Sequence, residues 1–315
     1  MQRQGKKEKT MQRTNGENFK KNRSGAYLTF LRVFACFTAF LMLVLIVMES
    51  STLISDAVWS PWSPDYAFVD LSPALEKAQS ERTEEDYALI YAQTGLTKIG
   101  ADRLLESGEN GKKRIKTIQK SYMQKISFER NRFNPWTCEE KLSDGNSSEI
   151  GAVREGDIIV TSATHVFGFR YGHAALVVSD SDLNPNSGLI VEAYSPGTVS
   201  VISNIASSFD RYATFMILRP NPEKIGDETR KEAANYAKTQ LLGIPYTVFA
   251  GIFGKKNQQP LKGTQCAHIV WYAYKQFGVD LDANGGCVVK PRDMANSEYM
   301  QVVQVFGFDP EKVWT

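Results

Sequence analysis

The sequence predicts an α+β protein with an antiparallel sheet, preceded by a single N-terminal transmembrane helix and a helical segment. Three observations predict it. The stretch Ala26–Met48 is apolar over 23 residues, and a helix of that length covers about 34 Å, enough for a bilayer core. Four short β-type runs follow between Gly156 and Pro220, separated by turn residues. The helical patterns at Asp227 and Cys266 come after those strands instead of alternating with them, which is the order of an α+β chain and not of a parallel α/β one.

From the N-terminus, residues 1–25 carry eight basic side chains against Glu8 and Glu17, reading as a polar, disordered cytoplasmic tail. The net charge of the 315 residues is +2. Without the tail the remainder is slightly acidic, so the main body is not expected to bind nucleic acid. Residues 26–48 are the transmembrane anchor; Val33–Met48 holds no charge and Arg32 can snorkel to the basic side. Residues 49–70 contain no Lys or Arg, so the positive-inside rule puts the N-terminus in the cytoplasm and all that follows outside. A cleaved signal peptide is the competing reading, with Ser55–Ala57 as a poor cleavage site, but the leader and the apolar run are both long for one.

Ser60–Tyr66 reads as a Pro-punctuated linker. Residues 71–150 read as a helical segment. Thr83 with Asp86 offers a capping box, Gly95 and Gly108 punctuate, and Ile115, Ile118 and Tyr122 mark a further helix. Nothing in this segment suggests chemistry. After a turn-rich connector, residues 151–315 form the candidate functional domain. Its strand runs are Gly156–Ser162, His173–Asp180, Gly188–Ser195 and Phe215–Pro220, with turns at Asp182–Ser187 and Pro196–Gly197. A helix from about Asp227 ends at Gly243. The last helix begins at Cys266, and Cys266, Ile269, Val270, Ala273 and Phe277 share one face by a 3.6-residue period.

Of four cysteines, Cys36 lies in the span, and Cys138, Cys266 and Cys287 lie beyond it, an odd number that leaves at least one unpaired within the chain. A Cys138–Cys287 disulfide stays open. There is no CxxC and no HExxH, and the three histidines are far apart, so no metal and no cofactor are expected.

Cys266 sits in the first turn of its helix, where the dipole and free N–H groups favour the nucleophilic thiolate; the plain alternative is a buried small hydrophobe. His173 opens a strand and shares a face with Ala175 and Val177, where it could act as base to a helix-borne thiol or merely cap the strand. Glu192, flanked by Ile190 and Val191, is costly to bury without a partner. It either fixes the imidazole tautomer or faces outward. His165, in the Thr164–Tyr171 loop, could line a cleft, though a solvent-facing position is the plainer expectation. His268 is two residues from Cys266, roughly 200° around the helix, so it points away. Tyr171, Tyr194, Tyr246 and His165 are the candidate substrate-lining residues. The aromatic run Tyr246, Phe249, Phe253 suggests an apolar substrate wall, which core packing explains equally well.

Three segments together resemble the NlpC/p60 superfamily of papain-like cysteine hydrolases, in its circularly permuted branch. Arg154–Asp180 (REGDIIVTSATHVFGFRYGHAALVVSD) resembles that family's Gly-Asp strand, loop and His-bearing strand. GTQCAHIVWYAYKQFGVDL, from Gly263, resembles its nucleophile helix, and Val288–Glu298 (VVKPRDMANSE) is similar to the Pro-Asp-Ser tail of YiiX-like members. The order His, acidic residue, Cys is that of the permuted branch, which includes the YiiX-like hydrolases and the lecithin retinol acyltransferase-like enzymes. Ala267 stands where the unpermuted family usually has Ser. The resemblance implies a permuted papain-like fold over half the chain, with Cys266 as nucleophile, His173 as general base and Glu192 as orienting acid. It implies a membrane-anchored, extracytoplasmic cysteine hydrolase cleaving an amide, ester or thioester bond in a cell-wall peptide or lipid acyl group. A lipid acyltransferase, or a non-catalytic binding module on the same scaffold, are the alternatives. The oligomeric state is left open.

Overall fold

The computed structural model describes residues 27–51, 53–54, 60–134, 137–143, 145–181, 183–184, 187–309 and 314. The basic tail and part of the Asp182–Ser187 turn lie outside these residues. The chain divides into two compact units, Met1–Ile54 and Ser55–Thr315. In the first, helix α1 (Tyr27–Ser51) is long and apolar enough to cross a membrane, and its apolar window is not buried by the rest of the chain.

At the start of the second unit the Ser60–Tyr66 stretch lies against the domain: the Trp62 N–H donates to the Gly307 carbonyl at 2.8 Å, and the indole packs 6.2 Å from the Tyr122 ring. Four helices follow, α2 (Ser72–Leu75), α3 (Glu84–Thr94), α4 (Lys98–Leu105) and α5 (Glu109–Tyr122), with a 3-10 turn at Gln79–Glu81. The capping box forms as expected: Thr83 Oγ1 accepts from the Asp86 N–H at 3.3 Å and Asp86 Oδ2 accepts from the Thr83 N–H at 2.8 Å. Gly95 ends α3 at φ 69°, and a Cβ there would lie 2.0 Å from the Val305 carbonyl oxygen. Ile90, Leu104, Ile115 and Ile118 make this subdomain's own core.

Helix does not continue to residue 150. After Tyr122 the chain forms a hairpin, β1 (Phe128–Asn134) and β2 (Thr137–Leu142). β1 is polar and largely exposed, so it carries no alternating apolar face by which a sequence reading could find it. β2 pairs on its other side with β4 (Thr164–Val166), which pairs with β5 (Phe169–Arg170); this is a four-stranded antiparallel sheet.

The main sheet also contains β3 (Ile158–Thr161), β6 (His173–Val177), β7 (Leu189–Glu192), β8 (Val201–Asn204), β9 (Phe215–Pro220) and β10 (Met300–Phe306). It runs β10-β9-β3-β6-β7-β8, with every pairing antiparallel. The period-two pattern sorts its side chains. Ile158, Val160, Leu176 and Met216 pack with α7 (Asp227–Gln240) and α8 (Cys266–Lys275). Ile159, Val177, Ile190 and Ile217 pack on the other face with Tyr122, Phe209 and Tyr212. A short helix α6 (Ile205–Phe209) supplies Phe209 to that face, and α9 (Pro291–Ala295) follows α8. This is the expected α+β class with antiparallel sheets.

The Gly156–Asp157 pair ties α8 to the sheet. Gly156 adopts φ 88°, and a Cβ there would meet Arg230 at 2.2 Å. Its carbonyl accepts from the Tyr274 hydroxyl of α8. Asp157 takes a bidentate pair from Arg219 of β9, at 3.0 and 2.7 Å. The cysteine helix is therefore tied to the start of β3 through its last turn. Cys266–Tyr274 are all buried, so beyond the one apolar face read from the sequence this is a central helix with apolar and aromatic residues all round.

Candidate active site

His173 opens β6 and Cys266 opens α8, and the two beginnings meet at one end of the main sheet. Gly172 makes the approach close. Its φ is 84°, a Cβ on it would lie 2.6 Å from the Thr161 carbonyl oxygen, and its own carbonyl is 4.0 Å from Cys266 Sγ. Glu192 ends β7, the neighbour of β6, on the same face as His173. All three residues are at most 4% exposed.

His173 Nε2 lies 2.7 Å from Glu192 Oε2. A carboxylate only accepts, so Nε2 carries the proton and Nδ1 is left for the thiol. The imidazole stacks on Phe209 at 5.6 Å and meets Tyr194 edge-on at 5.8 Å, which leaves the ring little freedom. Burial alone would lower the His173 pKa; its hydrogen bonds and charge interactions with Cys266 and Glu192 outweigh that and raise it to about 10. Burial would raise Glu192, yet His173 and the hydroxyls of Ser203 and Ser208 hold its carboxyl below the usual range. The Ser208 Oγ donates to Oε1 at 2.9 Å. The pair is thus an imidazolium beside a carboxylate, with the sulfur on the other side.

The N-cap of α8 is Gln265. Its Oε1 accepts from the Ala267 N–H at 3.1 Å and lies 3.3 Å from Cys266 Sγ, while its Nε2 donates to the Val289 carbonyl at 2.6 Å. Glutamine is an uncommon N-cap, and sequence reasoning passed over it. Here it fixes the thiol's position.

Cys266 and His173 lie in a cleft of about 280 Å³, and Tyr171, Tyr194, Tyr246 and His165, the four residues expected to line it, do so. Burial and the charge of an ionised Cys266 push the Tyr171 and Tyr246 hydroxyls up, so both remain donors. Phe249 also lines the cleft; Phe253 does not, and is 80% exposed.

His165 lines the cleft instead of facing solvent. It is on strand β4, only 2% exposed, with Nε2 3.2 Å from Glu140 Oε1. Glu140 is gripped at both oxygens by Arg170, at 2.7 and 2.8 Å. Beside it, Glu139 Oε1 accepts from the Tyr194 and Tyr212 hydroxyls at 2.8 and 2.7 Å. The hairpin that seemed free of chemistry therefore supplies one buried carboxylate, Glu139, to the cleft wall, and a second, Glu140, behind it. The Glu139–Glu140 doublet carried the signal only in principle, because adjacent glutamates ordinarily mark solvent. Cys138 also lines the cleft, buried, and Cys287 is exposed; the two are not joined by a disulfide.

His268 stands apart from this cluster, as its place on the helix requires, but it is buried. Its Nδ1 is 3.0 Å from Thr264 Oγ1, its Nε2 donates to the Lys256 carbonyl at 3.0 Å, and its ring stacks on Trp271. Burial lowers its pKa, and the nearby Lys256 charge adds to that. Among the described residues, no group of three or more His, Cys, Asp or Glu is placed to hold a metal ion.

Compared with protein-family models, curated proteins and solved structures, the chain matches none.

Proposed function

We propose that the protein is a membrane-anchored cysteine hydrolase of the permuted papain-like, NlpC/p60 kind, acting on an amide, ester or thioester. The observation that carries this reading is the buried chain of contacts Cys266–His173–Glu192 opening into one cleft. In this reading Cys266 attacks the carbonyl carbon while the positive end of α8 steadies the developing oxyanion. The His173 imidazolium then gives its proton to the leaving group. The now neutral imidazole takes a proton from water, and the resulting hydroxide releases the acyl group and regenerates the thiolate. Glu192 keeps the imidazole turned and stabilises its charged form. The basic tail before the span and the absence of Lys and Arg from residues 49–70 support an extracytoplasmic domain, within reach of a cell-wall peptide or a lipid acyl group.

The test is turnover of a panel of amide, ester and thioester substrates by wild type, Cys266→Ala and His173→Ala. Both variants should lose turnover and keep their melting temperature within a few degrees. Full activity in Cys266→Ala would remove the proposal.

A further inference from the structure

The rim of the cleft carries apolar side chains that the fold holds out into solvent. On one side, Phe167 and Phe169 form the β4–β5 turn and are 45% and 63% exposed. On the other, Phe249, Ile252 and Phe253 are 52%, 48% and 80% exposed. Phe167 and Phe249 both line the cleft, so the two loops flank one mouth.

This exposure is built in. The 249–253 turn is closed by the Ile252 N–H donating to the Phe249 carbonyl at 2.9 Å, and the Phe249 and Phe253 rings lie 5.1 Å apart. Gly251, at φ 85°, packs so closely on Cys287 that a Cβ would sit 1.9 Å from its carbonyl oxygen. The loop is thereby anchored with its rings facing outward. Phe167 itself adopts φ 52°, which a non-glycine residue rarely does. Clustered exposed aromatics on a soluble surface mark a partner.

We propose that these two loops are a membrane-docking surface whose partner is a lipid bilayer with anionic headgroups. Two further features select a bilayer over another protein. Lys255 and Lys262, both exposed, follow the aromatic turn, giving the aromatic-plus-basic composition of interfacial segments. The chain also brings its own membrane candidate, because α1 is long and apolar enough to cross a bilayer. A cleft rimmed this way would take its substrate from the lipid surface. The docking surface does not depend on the chemistry of Cys266.

The test uses the full chain reconstituted in phosphatidylcholine vesicles, with or without phosphatidylglycerol, containing a photoactivatable phospholipid. After illumination, adducts are mapped to peptides. Beyond the α1 peptide, adducts should appear on the peptides holding Phe167–Phe169 and Phe249–Phe253, and increase several-fold with phosphatidylglycerol. Phe169→Ser and Phe253→Ser should each reduce adducts on their own loop several-fold at unchanged melting temperature, and Cys266→Ala should leave the pattern intact. Adducts confined to α1, loop adducts indifferent to both substitutions, or chain-to-chain cross-links in their place would overturn the proposal. Loss of turnover in Cys266→Ala bears on the hydrolase reading alone.

Discussion

Glu192→Gln removes one charge from the buried site and little else. The amide matches the carboxylate in shape, can still accept the His173 Nε2–H now 2.7 Å from Oε2, and can still meet the Ser208 hydroxyl. What is lost is the charge assistance. A hydrogen bond to a charged group contributes about 1.5–3 kcal/mol and a neutral one about 0.5–1.5, a difference of about 1–2 kcal/mol. At about 1.4 kcal/mol per pKa unit, His173 should fall by about one unit, from about 10 in wild type. The sign for stability follows. The folded pKa is raised, so the imidazolium's contribution is complete below the unfolded value of about 6.5 and is lost as pH rises through about 10. In Glu192→Gln it is lost about one unit earlier. The stability gap between the two proteins should be full near pH 7 and close toward pH 10. With three histidines in the chain, a titration of their Cε1–H resonances resolves His173 directly, assigned by single substitutions. An unshifted His173 in Glu192→Gln, or a wild-type His173 titrating near 6.5, would refute the argument.

Three other outcomes follow from the geometry. Asp157→Asn leaves Arg219 buried without its carboxylate and should cost about 3–5 kcal/mol in urea unfolding; a loss under 1 kcal/mol would show that the Gly-Asp pair does not anchor β3 to β9. His268→Ala should destabilise by about 2–3 kcal/mol through its lost hydrogen bonds and ring packing, with the turnover of the folded fraction nearly unchanged. Because burial lowers the His268 pKa, its neutral form contributes stability above about pH 6.5 that is lost on acidification, and the variant should lack that acid-side loss.

The sequence made the site's polar members legible because each sat against its background. Glu192 interrupts an apolar run, His173 begins one, and Cys266 opens a periodic helix, so period-two and period-3.6 patterns placed all three. The capping box at Thr83 was equally local. The missed features depend on distant partners. Glu139 and Glu140 are buried only because tyrosines that follow β7 and α6, and Arg170 from β5, come to meet them. His165 is buried for the same reason. β1 has no apolar face to reveal it, and its register is set by β2. The helix-face argument placed His268 away from the thiol but not in the core, because the loop carrying Lys256 covers that face of α8.

The most direct test of the central claim is the mass of the protein after brief exposure to an activated acyl ester and quenching in acid. A hydrolase built on Cys266, His173 and Glu192 should gain one acyl group, on Cys266. The adduct should be absent in Cys266→Ala, form slowly in His173→Ala, and decay in water at a rate that also needs His173. Acylation only at Cys138 or Cys287, or acylation of Cys266 indifferent to His173, would contradict the account.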